Sequence, residues 1–88
     1  MKRRRAIVRG RVQGVWFRES LGKLARREGV AGWARNCADG SLETVLEGDE
    51  SAVDRVLDFC RIGPPRARVD EVEVIEEEHD ALEGFETR

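Results

Sequence analysis

The spacing of apolar residues changes along the chain and divides it into segments. Residues 5–12, Arg-Ala-Ile-Val-Arg-Gly-Arg-Val, carry enough β-branched side chains for a strand. Residues 13–17, Gln-Gly-Val-Trp-Phe, form a short connection containing a glycine. Phe17, Leu21, Leu24, Ala25 and Glu28 then recur at helical spacing, and Gly29 is a natural C-terminal stop. Gly22 weakens that helix by about 1 kcal/mol against alanine, so another segment is expected to pack closely there. Two short strands follow, about 30–36 and 41–47, joined across the turn-forming pair Asp39-Gly40. Val53, Val56, Leu57 and Cys60 mark the apolar stripe of a second helix, opened at Gly48-Asp49 and stopped by Gly63-Pro64-Pro65. Residues 67–76 read as a further strand and 76–80 as a solvated acidic loop, and Phe85-Glu86-Thr87-Arg88 can add a short last strand.

The order is β-α-β-β-α-β with a terminal extra strand. Two βαβ-type crossovers around a hairpin predict an α/β (α+β) sandwich of ferredoxin-like architecture, a mostly antiparallel sheet with two helices on one face. A chain of 88 residues hides only about 60% of its unfolded surface, so one domain over 1–88 is expected, without room for a second core. No apolar run approaches the roughly 20 residues of a membrane span. The basic start Met1-Lys2-Arg3-Arg4-Arg5 passes directly into the first strand without a signal-like apolar stretch, which predicts a cytoplasmic protein with no membrane partner. Fold by itself assigns no chemistry.

Composition narrows the chemistry further. Cys37 and Cys60 are too few for a disulfide framework and lack CxxC spacing. The lone His79 cannot anchor a zinc site, and it lies in the acidic run Glu76-Glu77-Glu78-His79-Asp80. Any reaction is therefore expected to proceed without metal, cofactor, disulfide or imidazole. The formal charge of −2 conceals an asymmetry: residues 1–29 carry ten Lys/Arg and two Asp/Glu, residues 30–88 six and sixteen. Such a chain can pair basic and acidic strands on one exposed sheet face, or attract an anion to a positive site near the N-terminus; the two are compatible.

Gly10-Arg11-Val12-Gln13-Gly14-Val15-Trp16-Phe17-Arg18 is the segment most suggestive of chemistry. A strand, a glycine-containing loop and a helix start gather backbone N–H groups at the positive end of a helix, a setting that suits an anion. The segment is neither GxxxxGK[ST] nor GxGxxG. Arg18 opposes the helix dipole in the first turn. From these residues alone, a phosphate-binding arginine and an ordinary surface arginine both remain open.

The same residues resemble the first signature of the acylphosphatases. Gly32-Trp33-Ala34-Arg35-Asn36, with Gly40, Leu42 and Gly48, resembles the second. The resemblance covers essentially the whole chain, including Gly63-Pro64-Pro65 and Phe85-Glu86. Leu42 stands where valine or alanine is usual, and Cys37 where threonine is frequent. The resemblance implies the same sandwich and the hydrolysis of a carboxylic-phosphoric anhydride. It implies that Arg18 clamps the phosphate and that the loop of Gln13, Gly14, Val15, Trp16 and Phe17 completes the cradle with its amides. Asn36 would hold the attacking water. The implied partners are a small acyl phosphate and competing phosphate or sulfate, with no nucleic acid and a monomeric state.

Rival functions turn on particular residues. An RNA-binding ferredoxin-like module needs stacking aromatics on its open face, where this chain offers Arg and Glu. A domain that binds acyl or carbamoyl phosphate without turnover is opposed by the intact Arg18 and Asn36. Cys60 and Arg66 fit the C-x5-R spacing of cysteine phosphatases, but Pro64 and Pro65 lack the amides such a loop aims at phosphate. Trp16 and Trp33 are read as packing residues, Cys60 as core, Cys37 as an inert thiol, and Arg3, Arg4 and Arg5 as a solvated strand entrance.

Overall fold

The computed structural model describes all residues, 1–88. Its elements are β1 (Lys2–Arg11), α1 (Phe17–Glu28), β2 (Ala31–Asn36), β3 (Leu42–Gly48), α2 (Glu50–Ile62), β4 (Arg68–Glu77) and β5 (Phe85–Thr87). The sheet order is β4-β1-β3-β2-β5. Every pairing is antiparallel except the parallel one between β2 and β5. Each helix contacts strands and the other helix, so both lie on one face. This is the expected ferredoxin-like order with its extra strand. No helix is long and apolar enough to cross a membrane.

Alternation in β1 sends Ala6 and Val8 to the helical face, where both are fully buried. They meet Leu42 and Leu46 of β3, Phe17, Leu21 and Ala25 of α1, and Val53, Val56 and Cys60 of α2 in one core. The close approach expected at Gly22 is made by β5. A Cβ there would lie 2.7 Å from the Thr87 methyl carbon. Arg26 of α1 also donates to the Phe85 carbonyl, at 3.0 Å from one terminal nitrogen. The short last strand is thus fixed between β2 and α1, which carries Arg88 toward the start of α1.

Strand β1 begins three residues earlier than the sequence pattern predicts, and its arginines are not a solvated entrance. Arg3 and Arg5 lie between acidic neighbours on two strands: Arg3 Nε is 2.9 Å from Glu77, and Arg5 reaches Glu77 and Glu43, each at 2.6 Å. Arg35 of β2 closes on the other oxygen of Glu43 at 2.7 Å. Three consecutive arginines have little intrinsic preference for a strand; opposite charges on both flanking strands stabilise them there. The anticipated pairing of basic and acidic strands is therefore present on the open face. The acidic run also differs from expectation. Glu76 and Glu77 belong to β4, and the next residues cap a buried carboxylate. Glu47, with no exposed side-chain surface, accepts from the Asp80 N–H at 2.7 Å and from the Leu82 N–H.

These bonds make folding sensitive to acid. Burial raises the Glu47 pKa, but the Asp80 and Leu82 amides, His79 and Arg3 outweigh it and hold the carboxyl below its ordinary 4.5. Burial likewise opposes, and Arg35 and Arg5 overcome, at Glu43. Arg5 and Arg3 lower Glu77 directly. A carboxyl depressed in the folded state contributes stability above its unfolded pKa and loses it as pH falls through the folded value. The urea midpoint is expected to be nearly level from neutral pH to roughly pH 5 and to fall below it. Glu47→Gln should cost about 1–3 kcal/mol at neutral pH and flatten part of that acid limb. A midpoint that stays level as the pH is lowered from roughly 5 to 3 contradicts the assignment.

Candidate active site

The connection from β1 to α1 is short, and its side chains alternate between core and surface. Val12, Val15 and Phe17 are buried, while Gly14 and Trp16 face outward. Gly14 has φ +73° and Trp16 φ +64°, both left-handed. No atom comes within 4 Å of a Cβ built on Gly14, so backbone conformation, and not crowding, favours glycine there. For Trp16 the same conformation costs about 1 kcal/mol.

Trp16 is the N-cap of α1 and provides no side-chain cap. The first bond of the helix runs from the Ser20 N–H to the Trp16 carbonyl at 3.0 Å. The amides from Gly14 to Glu19 donate to no protein acceptor. Unpaired donors and the helix dipole together make this a favourable place for negative charge.

Two more elements close on the loop. Gln13 Nε2 donates to the carbonyls of Cys37 and Ser41, at 2.7 and 3.0 Å, tying the loop to the β2–β3 hairpin. The hairpin is braced by Asp39, whose carboxylate accepts from the Ser41 hydroxyl at 2.6 Å and the Ser41 N–H at 3.0 Å. Those two bonds hold the Asp39 pKa below its ordinary value. Asn36, the last residue of β2, is exposed beside this turn. Arg18 Nη1 donates to the Arg88 main-chain oxygen at 2.8 Å, and Nη2 to Glu19 at 3.1 Å. Three of the five guanidinium N–H groups therefore have no protein partner.

A cavity of about 300 Å³ lies where these parts meet. Gly14, Trp16, Phe17 and Arg18 line it from the loop and helix, and Asn36 from the hairpin. Of the residues singled out in sequence, Gln13 and Val15 do not line it: Gln13 is spent on the hairpin and Val15 is core. Glu19 and Val12 line it without having been anticipated. Glu19 was foreshadowed only by its place next to Arg18; a helical side chain at that position shares the first turn.

Trp16 departs from its expected packing role, since it is 72% exposed. Trp33 does pack, on the open sheet face, with the guanidinium of Arg88 4.5 Å from its ring centre and those of Arg5 and Arg35 slightly farther. Cys60 is fully buried, and burial pushes its thiol pKa up to about 12, so the C-x5-R spacing supplies no thiolate. Cys37 is half-buried, its N–H bonded to Ser41 O at 2.8 Å. No group of three or more His, Cys, Asp or Glu is placed to hold a metal ion.

Comparison with known proteins places the whole chain in a family. The acylphosphatase family model matches residues 4–87. An acylphosphatase from Thermococcus kodakarensis is 53% identical over 87 residues, covering 97% of this chain and 96% of that protein. One from Rubrobacter xylanophilus is 52% identical over 88 residues, covering 99% of this chain and 80% of its own length. The crystal structure of acylphosphatase from Bacillus subtilis superposes with a TM-score of 0.95 at 34% identity, covering 100% of this chain and 99% of that one. The glycine-bearing loop, the arginine in the first helical turn and the asparagine at the end of β2 thus sit in a chain that belongs to the acylphosphatase family.

Proposed function

We propose that the cavity between the β1–α1 loop and the β2–β3 hairpin is where this acylphosphatase hydrolyses the carboxyl–phosphate bond of acyl phosphates. The reading is carried by one observation: Arg18 and Asn36, from separate elements, line one cavity at a helix start with unpaired amides. Arg18 clamps the phosphate through its remaining N–H groups, and the Gly14–Arg18 amides take further oxygens. Gln13 contributes by its amide and by holding the hairpin. Asn36 fixes a water in line with phosphorus.

The water oxygen bonds to phosphorus as the bond from phosphorus to the carboxylate oxygen breaks, and the electron pair leaves with the carboxylate. The water proton passes to a phosphoryl oxygen, since a carboxamide is not a base. Such a transfer depends on positioning and charge stabilisation more than on covalent help. The leaving acid has a pKa of about 4, so no general acid is required. A single domain over residues 1–88, acting as a monomer, is sufficient for this scheme.

Purified protein is expected to release phosphate from acetyl phosphate in the presence of EDTA; release at buffer background contradicts the reading. Arg18→Gln should lower turnover by about 100-fold or more and abolish competitive inhibition by phosphate. Asn36→Ala should lose turnover comparably while still being inhibited by phosphate. Equal phosphate affinity in Arg18→Gln and wild type would place the anion elsewhere.

Gln13→Ala tests the tie between loop and hairpin. It should lower kcat about tenfold while changing the phosphate inhibition constant much less, because Arg18 and the amides stay with the loop while Asn36 is freed. Parallel changes in both quantities would show that Gln13 acts on the anion itself.

A further inference from the structure

Trp16 is the residue that the fold does not account for. Buried Val15 and Phe17 on either side direct it outward, and it holds a left-handed conformation that a bulky side chain seldom adopts. It is 72% exposed, makes no side-chain hydrogen bond and stacks on no aromatic or guanidinium group, in contrast to Trp33 with its three arginines. Strained residues of this kind cluster at ligand sites, where the strain places a side chain. Trp16 is the one exposed apolar residue among those lining the same cavity as Arg18 and Asn36.

Resting on the assignment of that cavity to acyl-phosphate hydrolysis, we propose that Trp16 determines which acyl group is accepted. With phosphate on Arg18 and the loop amides, the acyl group must occupy the rest of a cavity of about 300 Å³, a small volume for a ligand site. The flat indole face offers it apolar and π contact, which an aromatic or bulky apolar acyl group exploits and an acetyl group does not. The Glu19 carboxylate on the same lining is held by Arg18 Nη2 at 3.1 Å, which leaves Trp16 as the exposed apolar contact for the acyl chain. The substrate class is therefore acyl phosphates of aromatic or bulky apolar acids.

The test compares kcat/KM for benzoyl phosphate and acetyl phosphate in wild type, Trp16→Phe and Trp16→Gly. Glycine suits the φ of +64°, so the truncation does not add backbone strain. The benzoyl-to-acetyl ratio is expected to fall about tenfold in Trp16→Gly, mainly through KM for benzoyl phosphate, and to be largely retained in Trp16→Phe. An unchanged ratio in Trp16→Gly, with turnover and phosphate inhibition still present, overturns the role of Trp16 and leaves the site assignment standing. Absence of turnover and of phosphate inhibition in the wild type overturns the site assignment, and this inference with it.

Discussion

The candidate site depends on one crossing: the Gln13 carboxamide spans from the β1–α1 loop to the Cys37 and Ser41 carbonyls of the hairpin. The loop has few residues in which to leave β1, bury Val12 and Val15, and seat Phe17 at the head of α1. Those apolar anchors leave only Gly14 and Trp16 to face outward, which exposes the amides around them. No other hydrogen bond joins the loop to the end of β2 or the hairpin turn. The two halves of the candidate site, the loop and the hairpin, are thus joined by two hydrogen bonds from one side chain.

The same economy governs charge. The basic N-terminal third does not act as one positive surface, because Arg3 and Arg5 are held by Glu77 and Glu43, and Arg9 lies within reach of Glu71 and Glu73. A polyanion approaching the open sheet face meets carboxylates between its arginines and no platform of stacking aromatics. Arg18 is different: its partners are one main-chain oxygen and the neighbouring Glu19, and most of its donors remain free. A small anion suits such an arginine better than a nucleic acid does.

Most of the fold was legible in the chain because its signals are local. The α1 and α2 stripes, Asp39-Gly40, Gly29 and Gly63-Pro64-Pro65 each specify an element or its end, and each appears where expected. The close approach at Gly22 was also legible, although not the identity of Thr87 as its neighbour. Arg3–Arg5 could not be read as strand because their stabilising carboxylates lie more than 35 residues away. No local signal marks Glu47 as buried, and only the return of residues 80–82 makes it a buried acceptor. Within the site, Arg18 and Asn36 stood out by motif and resemblance. The outward turn of Trp16 and the presence of Glu19 did not, since both follow from the path of the loop.

The proposed reaction asks little of the cavity: a carboxylate leaving group departs unaided, so an anion clamp with a held water would suffice. That account centres on phosphate bound at the start of α1. Titration of isotopically labelled protein with inorganic phosphate, followed by amide NMR, tests it most directly. Saturable shifts concentrated on the amides of Gly14 to Glu19 and on the Arg18 guanidinium, lost in Arg18→Gln, are the predicted result. Saturable shifts centred on the open sheet face around Trp33, with the Gly14–Glu19 amides unmoved, would contradict it.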